Sequence, residues 1–184
     1  MLDALLRTRT GPGGGAINRQ PSPLLARALP WLSVVLGSAL PGWTQVAQAP
    51  LVPPLGLLVL IGWVQLRPGL LPPWAGLVLG LVDDLVSGQP PGSAVLLWSV
   101  SVLVLEAVEF RLPWRNFITE WALAGLLIAG CLIAGLALAN LSGGATRLVV
   151  IGPQIVASVL AYPFAARTVA WLDRARLVRL RKLG

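Results

Sequence analysis

Six apolar runs divide the chain, at about 24–42, 51–66, 70–87, 93–110, 119–141 and 148–171. Runs approaching ~20 residues predict helices able to cross a hydrocarbon core of ~30 Å, so a bilayer is the solvent to reason in. Glycine and proline mark the boundaries: LPGW at 40–43, RPG at 67–69, GQPPG at 88–92 and RLPWR at 111–115 read as turns. Pro30, Pro53, Pro54, Pro153 and Pro163 fall inside runs, where membrane helices tolerate them as kinks, and the last helix is expected to be bent. Residues 1–23, with the stretch TRTGPGGGAINRQPSP, have too little apolar content to pack and read as a flexible basic tail. The expected organisation is that tail, a six-helix domain over 24–172 and a second basic tail over 173–184.

Composition agrees with an integral membrane protein of the all-α class. Of 184 residues, 56% are hydrophobic and 11% charged, against about a quarter charged in soluble domains. Mean hydropathy is +0.79. The chain has no histidine and one cysteine, which excludes a Ser-His-Asp triad, a histidine-ligated metal, a haem and an internal disulfide. No metal or cofactor is expected. Cys131, among Leu, Ile, Ala and Gly, reads as a small packing residue.

A net charge of +7 would suggest nucleic acid in a soluble protein. Here the positive-inside rule accounts for it without a nucleic-acid partner. Six spans with both termini in the cytoplasm place 13 of the 14 basic residues on that side, leaving Arg147 outside. An odd number of spans would spoil the alternation. The tail DRARLVRLRKLG would lie against anionic lipid. Trp43, Trp74, Trp114, Trp121 and Trp171 fall near span ends, whereas Trp31, Trp63 and Trp98 are expected to pack between helices or face lipid. AQA at 47–49 resembles a signal-peptidase site, but Pro50 follows it and the first helix is expected to be retained.

The stretch GLVLGLVDDLVSGQPPGS, 76–93, puts two carboxylates at the end of an apolar run. On a helix, Gly76, Gly80 and Ser87 share a stripe, with Asp83 and Asp84 to either side of it. Small residues at this spacing admit a neighbouring helix, and both carboxylates should face protein, because a charge facing hydrocarbon costs at least ~2.5–3.5 kcal/mol. Gly88 fits the left-handed position after a helix, Pro90 and Pro91 cannot continue it, and Ser93 is a candidate cap for the next. A tight antiparallel hairpin follows. Near its tip a carboxylate can accept hydrogen bonds from free amides of a neighbouring helix or pair with an arginine.

Adjacent residues on one helix diverge by about 100°, so the two aspartates do not form a proton-sharing protease dyad. Glu106, Glu109 and Glu120 belong near the opposite side, and no enzymatic site is expected. Glu106 and Glu109, before Arg111 and Arg115, read as a helix-end ion-pair cluster. In the fifth helix, Gly125, Gly130 and Gly135 each have an alanine four residues on, which predicts close packing on more than one side. In the sixth, Gln154, Ser158 and Tyr162 share a face, as bundle hydrogen bonds or the wall of a small cavity.

Gly80, Leu81, Asp84, Leu85, Gly88 and Gly92 match a Gly-Leu-x-x-Asp-Leu-x-x-Gly run followed by a further glycine. This pattern resembles the signature of the rod shape-determining protein MreD family. Asp83 stands where an apolar residue is usual there, and the long Gly-rich first tail also departs from the pattern. The resemblance implies a non-enzymatic scaffold of the bacterial inner membrane within the elongation machinery for peptidoglycan. It implies MreC as direct partner, and MreB, RodA and a class B penicillin-binding protein as complex members. Gly80, Asp84, Gly88 and Gly92 are the implied motif for partner binding or folding. The family is also similar in fold to the S components of energy-coupling vitamin transporters. A small-molecule binder of that kind is the competing expectation, although the outer loops here are short and carry few polar groups.

Overall fold

The computed structural model describes residues 23–44, 52–87, 91–111 and 116–176. The described residues form six helices and no strand: α1 Pro23–Thr44, α2 Leu55–Leu66, α3 Ala75–Ser87, α4 Ser93–Arg111, α5 Phe117–Leu141 and α6 Leu148–Arg176. The segments 1–22 and 177–184, including most of both expected tails, lie outside them.

Helix α2 is apolar all round, a pattern that suits a helix with neighbours on every side. Nine of its 12 residues are buried, and it packs against α1, α4, α5 and α6. Trp63 near its end is fully buried. Its indole N–H donates to the Ser33 hydroxyl of α1 at 2.8 Å, and that hydroxyl donates to the carbonyl of Pro30. On α1, Val34 and Ser38 turn inward, while Leu32, Leu36 and Leu40 are exposed at steps of four. Exposed Leu126 and Ile133 on α5 and Val156 and Leu160 on α6 similarly form an apolar exterior. That is the distribution a hydrocarbon surround requires.

Several sequence expectations change. LPGW at 40–43 is not a turn, because α1 runs through Pro41 to Thr44. Helix α2 starts only after Pro53 and Pro54, and α3 only after Pro72 and Pro73, rather than at 51 and 70. With 12 and 13 residues, they are about 18 and 20 Å long. Of the six expected spans, α4, α5 and α6 are long and apolar enough to cross a membrane. Asn116 caps α5, its side chain accepting from the Thr119 amide at 2.9 Å.

Successive helices alternate in direction. Ser33 meets Trp63, Trp31 packs against Trp74 with the rings tilted and their centroids 5.5 Å apart, and the Gln65 amide donates to the carbonyl of Glu120. One end of the bundle therefore gathers Arg27, Arg67, Arg111, Arg174 and Arg176, while Asp83, Asp84 and Arg147 belong to the other.

Candidate functional site

Gly76, Gly80 and Asp84 recur every four residues along one stripe of α3, and this stripe faces α4. A Cβ on Gly76 would stand 2.7 Å from the carbonyl oxygen of Trp98, and one on Gly80 2.6 Å from that of Ala94. No side chain fits in either place, so the two backbones touch. This contact carries the next residue of the stripe over the amino end of α4.

There the Asp84 carboxylate, 6% exposed, takes up amides that a helix start leaves without partners. Oδ2 accepts from the amide of Gly92 at 2.8 Å and from that of Val95 at 3.3 Å. Oδ1 accepts from the amide of Ala94 at 2.9 Å and the hydroxyl of Ser93 at 3.2 Å. The free amides of a helix start are well placed to donate to an acceptor at this position. Gly92 has φ +92°, the left-handed region that favours glycine, and this conformation turns its amide toward Asp84. The capping expectation for Ser93 is corrected: Asp84 of the neighbouring helix caps α4, and Ser93 is one of its donors. Gly88, expected in the left-handed position after α3, lies outside the described residues.

Asp83 faces elsewhere. It is half-buried beside Ser38 of α1 and borders a cavity of about 220 Å³ with Trp98, Cys131 and Gln154. The two carboxylates thus serve different surroundings, Asp84 with four donors from the start of α4 and Asp83 beside α1. No group of three or more metal-ligating side chains occurs among the described residues.

A second close crossing, between α1 and α2, was not anticipated. A Cβ on Gly37 would stand 3.1 Å from the Cα of Gly56, and one on Gly56 would collide with the Ser38 hydroxyl. The signal was a Gly-Ser pair at 37–38 and a glycine at 56, too sparse to read as a stripe. Helix α5 behaves otherwise. Cβ atoms on Gly125 and Gly135 would meet Val159 at 3.4 Å and Leu97 at 3.5 Å, ordinary contacts. At Gly130 the expectation of close packing fails, because nothing lies within 4 Å. Cys131 is half-buried with its Sγ 3.1 Å from the Ser101 hydroxyl.

The polar face of α6 is used in the bundle. The Gln154 amide donates to the carbonyl of Val52 at 2.9 Å, and the Ser158 hydroxyl to that of Gln154. The Tyr162 hydroxyl donates to Oε1 of buried Gln65 at 2.5 Å, and Gln65 in turn donates to the carbonyl of Glu120. At the arginine-rich end, Asp173 accepts from Arg67 at 2.9 Å and from Arg176 at 2.7 Å, and Arg176 lies 5.5 Å from the centre of the Trp63 ring. Asp173 was legible only as the one acid in a basic tail. Arg115, part of the expected cluster with Glu106 and Glu109, lies outside the described residues.

The family model described as rod shape-determining protein MreD matches residues 26–171, which takes in all of α2 to α5 and most of α1 and α6. No curated protein matches the chain. No solved structure matches it either.

Proposed function

We propose that this chain, which belongs to the MreD family of rod shape-determining membrane proteins, is a non-enzymatic scaffold of the cell-elongation complex. Membership carries a role in rod shape determination and places the chain in a family of structural proteins, not in a known enzyme family. The finer reading is that it sits in the bacterial inner membrane as a multi-pass protein and docks MreC. Through MreC it helps link MreB to RodA and its class B penicillin-binding protein. The arginine-rich end of the bundle would face the cytoplasm, following the positive-inside rule.

The observation that carries this reading is the α3–α4 hairpin, in which Gly76, Gly80, Asp84 and Gly92 lock two helices together. Such a unit presents one fixed surface at its tip rather than a reacting group. Leu85 beside it is 78% exposed, an apolar residue available to a partner in the membrane. Gly80, Asp84, Gly88 and Gly92 are the proposed motif for partner binding or folding.

The second reading, a small-molecule binder similar to vitamin-transporter S components, draws on the cavity beside Asp83. Purification of the tagged protein from cross-linked rod-shaped cells, followed by mass spectrometry, separates the two. The scaffold reading expects MreC in the eluate and rounding of cells on depletion. A vitamin recovered in stoichiometric amount, with no MreC, would reverse the choice.

A further inference from the structure

A cavity of about 530 Å³ opens between α2, α5 and α6 toward the arginine-rich end of the bundle. This size lies within the ~300–1,000 Å³ usual for ligand pockets. Buried Gln65 and Tyr162 line it and already satisfy each other, while Leu66 and Phe117 contribute apolar wall. Two further lining groups carry opposite charges: Glu120, in the first turn of α5, and Arg167 of α6. Neither makes an ion pair, with the other or with anything else, among the described residues. One cavity thus holds a carboxylate and a guanidinium without charged partners among the described residues, above an apolar wall.

We propose that this cavity binds the headgroup of an ethanolamine phospholipid. Such a headgroup carries a phosphate and a primary ammonium a few bonds apart. Arg167 offers the planar donors that suit phosphate oxygens, and Glu120 offers the acceptor that suits an ammonium. Anionic lipid would satisfy Arg167 but set its charge against Glu120. A choline headgroup has no N–H to donate to Glu120. The acyl chains would leave past Phe117, which is 57% exposed, along the apolar exterior. This site is at the opposite end of the bundle from the Asp84 hairpin, so it stands or falls independently of MreC docking.

The test is native mass spectrometry of the full-length protein, delipidated in detergent and exposed to phosphatidylethanolamine, phosphatidylglycerol or phosphatidylcholine of matched chains. One phosphatidylethanolamine per chain should be retained in preference to both others. Arg167→Ala and Glu120→Gln should each weaken retention about tenfold, as loss of one charge-assisted contact does. Glu120→Gln should also narrow the gap between phosphatidylethanolamine and phosphatidylglycerol, a change that general loosening of the bundle does not produce. Equal or stronger retention of phosphatidylglycerol or phosphatidylcholine by the unmodified protein, no retained lipid, or variants that match it would each overturn the proposal. Circular dichroism checks that the variants are folded, and the preference of the unmodified protein decides the matter if they are not.

Discussion

Oδ1 of Asp84 stands 2.9 Å from the amide nitrogen of Ala94, ten residues along the chain and on the other helix of the hairpin. A cap is ordinarily supplied by the residue that precedes its own helix. Here the chain turns back on itself first, and the carboxylate closes the next helix from the side. Removing it leaves the amides of Gly92, Ala94 and Val95 without their acceptor. Asp84→Ala should cost about 1–3 kcal/mol, whereas Asp83→Ala should cost less. Thermal unfolding in detergent measures the difference, and equal midpoints for the two variants would contradict the capping role. Loss of MreC association with Asp84→Ala beyond what its stability explains would assign the residue to docking as well.

The glycines of α3 should be far less replaceable than those of α5. Gly80→Ala puts a methyl 2.6 Å from a carbonyl oxygen and must push α4 away, at a cost of roughly 1–3 kcal/mol. Gly130→Ala has open space and should be neutral or stabilising by up to about 1 kcal/mol, from helix propensity alone. A stability ranking of the two in the same detergent checks the contrast.

Tyr162→Phe keeps the ring and removes only the hydroxyl that donates to Gln65. Both residues are buried, so the Gln65 oxygen loses the donor that Tyr162 supplies. The expected cost is about 1–3 kcal/mol. Gln65→Leu combined with Tyr162→Phe should recover part of it, because matched apolar groups leave less unsatisfied. A double-mutant cycle reads the coupling directly.

Asp173 joins two arginines of unequal exposure: the Arg67 side chain is 50% exposed and that of Arg176 9%. Arg67→Ala should therefore cost little and lose its effect in high salt. Asp173→Ala should cost more, because it removes the carboxylate shared by both and leaves the less exposed Arg176 beside Trp63. Unfolding midpoints at low and high salt distinguish the two contributions.

Much of this architecture could be read from periodicity, because a bilayer makes apolar runs and their breaks unusually informative. The stripe of Gly76, Gly80 and Ser87, with the aspartates to either side, was enough to turn the glycines of α3 toward a neighbouring helix, and free amides of a neighbouring helix were among the partners expected for a carboxylate there. Element ends were less legible. Pro41 sits inside α1, whereas Pro53 and Pro54, with Pro72 and Pro73, delay α2 and α3. Composition does not distinguish a proline that a helix absorbs from one that it waits for. The pairings of Gly37 with Gly56 and of Arg67 with Asp173 join residues far apart in the chain. Neither leaves a local pattern, since each depends on which helices become neighbours.

The capping of α4 by Asp84 also bears on how the chain enters the membrane. Helix α3 is short and ends near Asp84, and alone it would carry that carboxylate into hydrocarbon at the cost of at least ~2.5–3.5 kcal/mol. Helix α4 alone would bring its opening amides there without acceptors. Together each supplies what the other lacks, while the glycine stripe lets them lie in contact from the beginning. The acceptor that closes α4 thus comes with α3, and the close glycine contact that positions it comes with both.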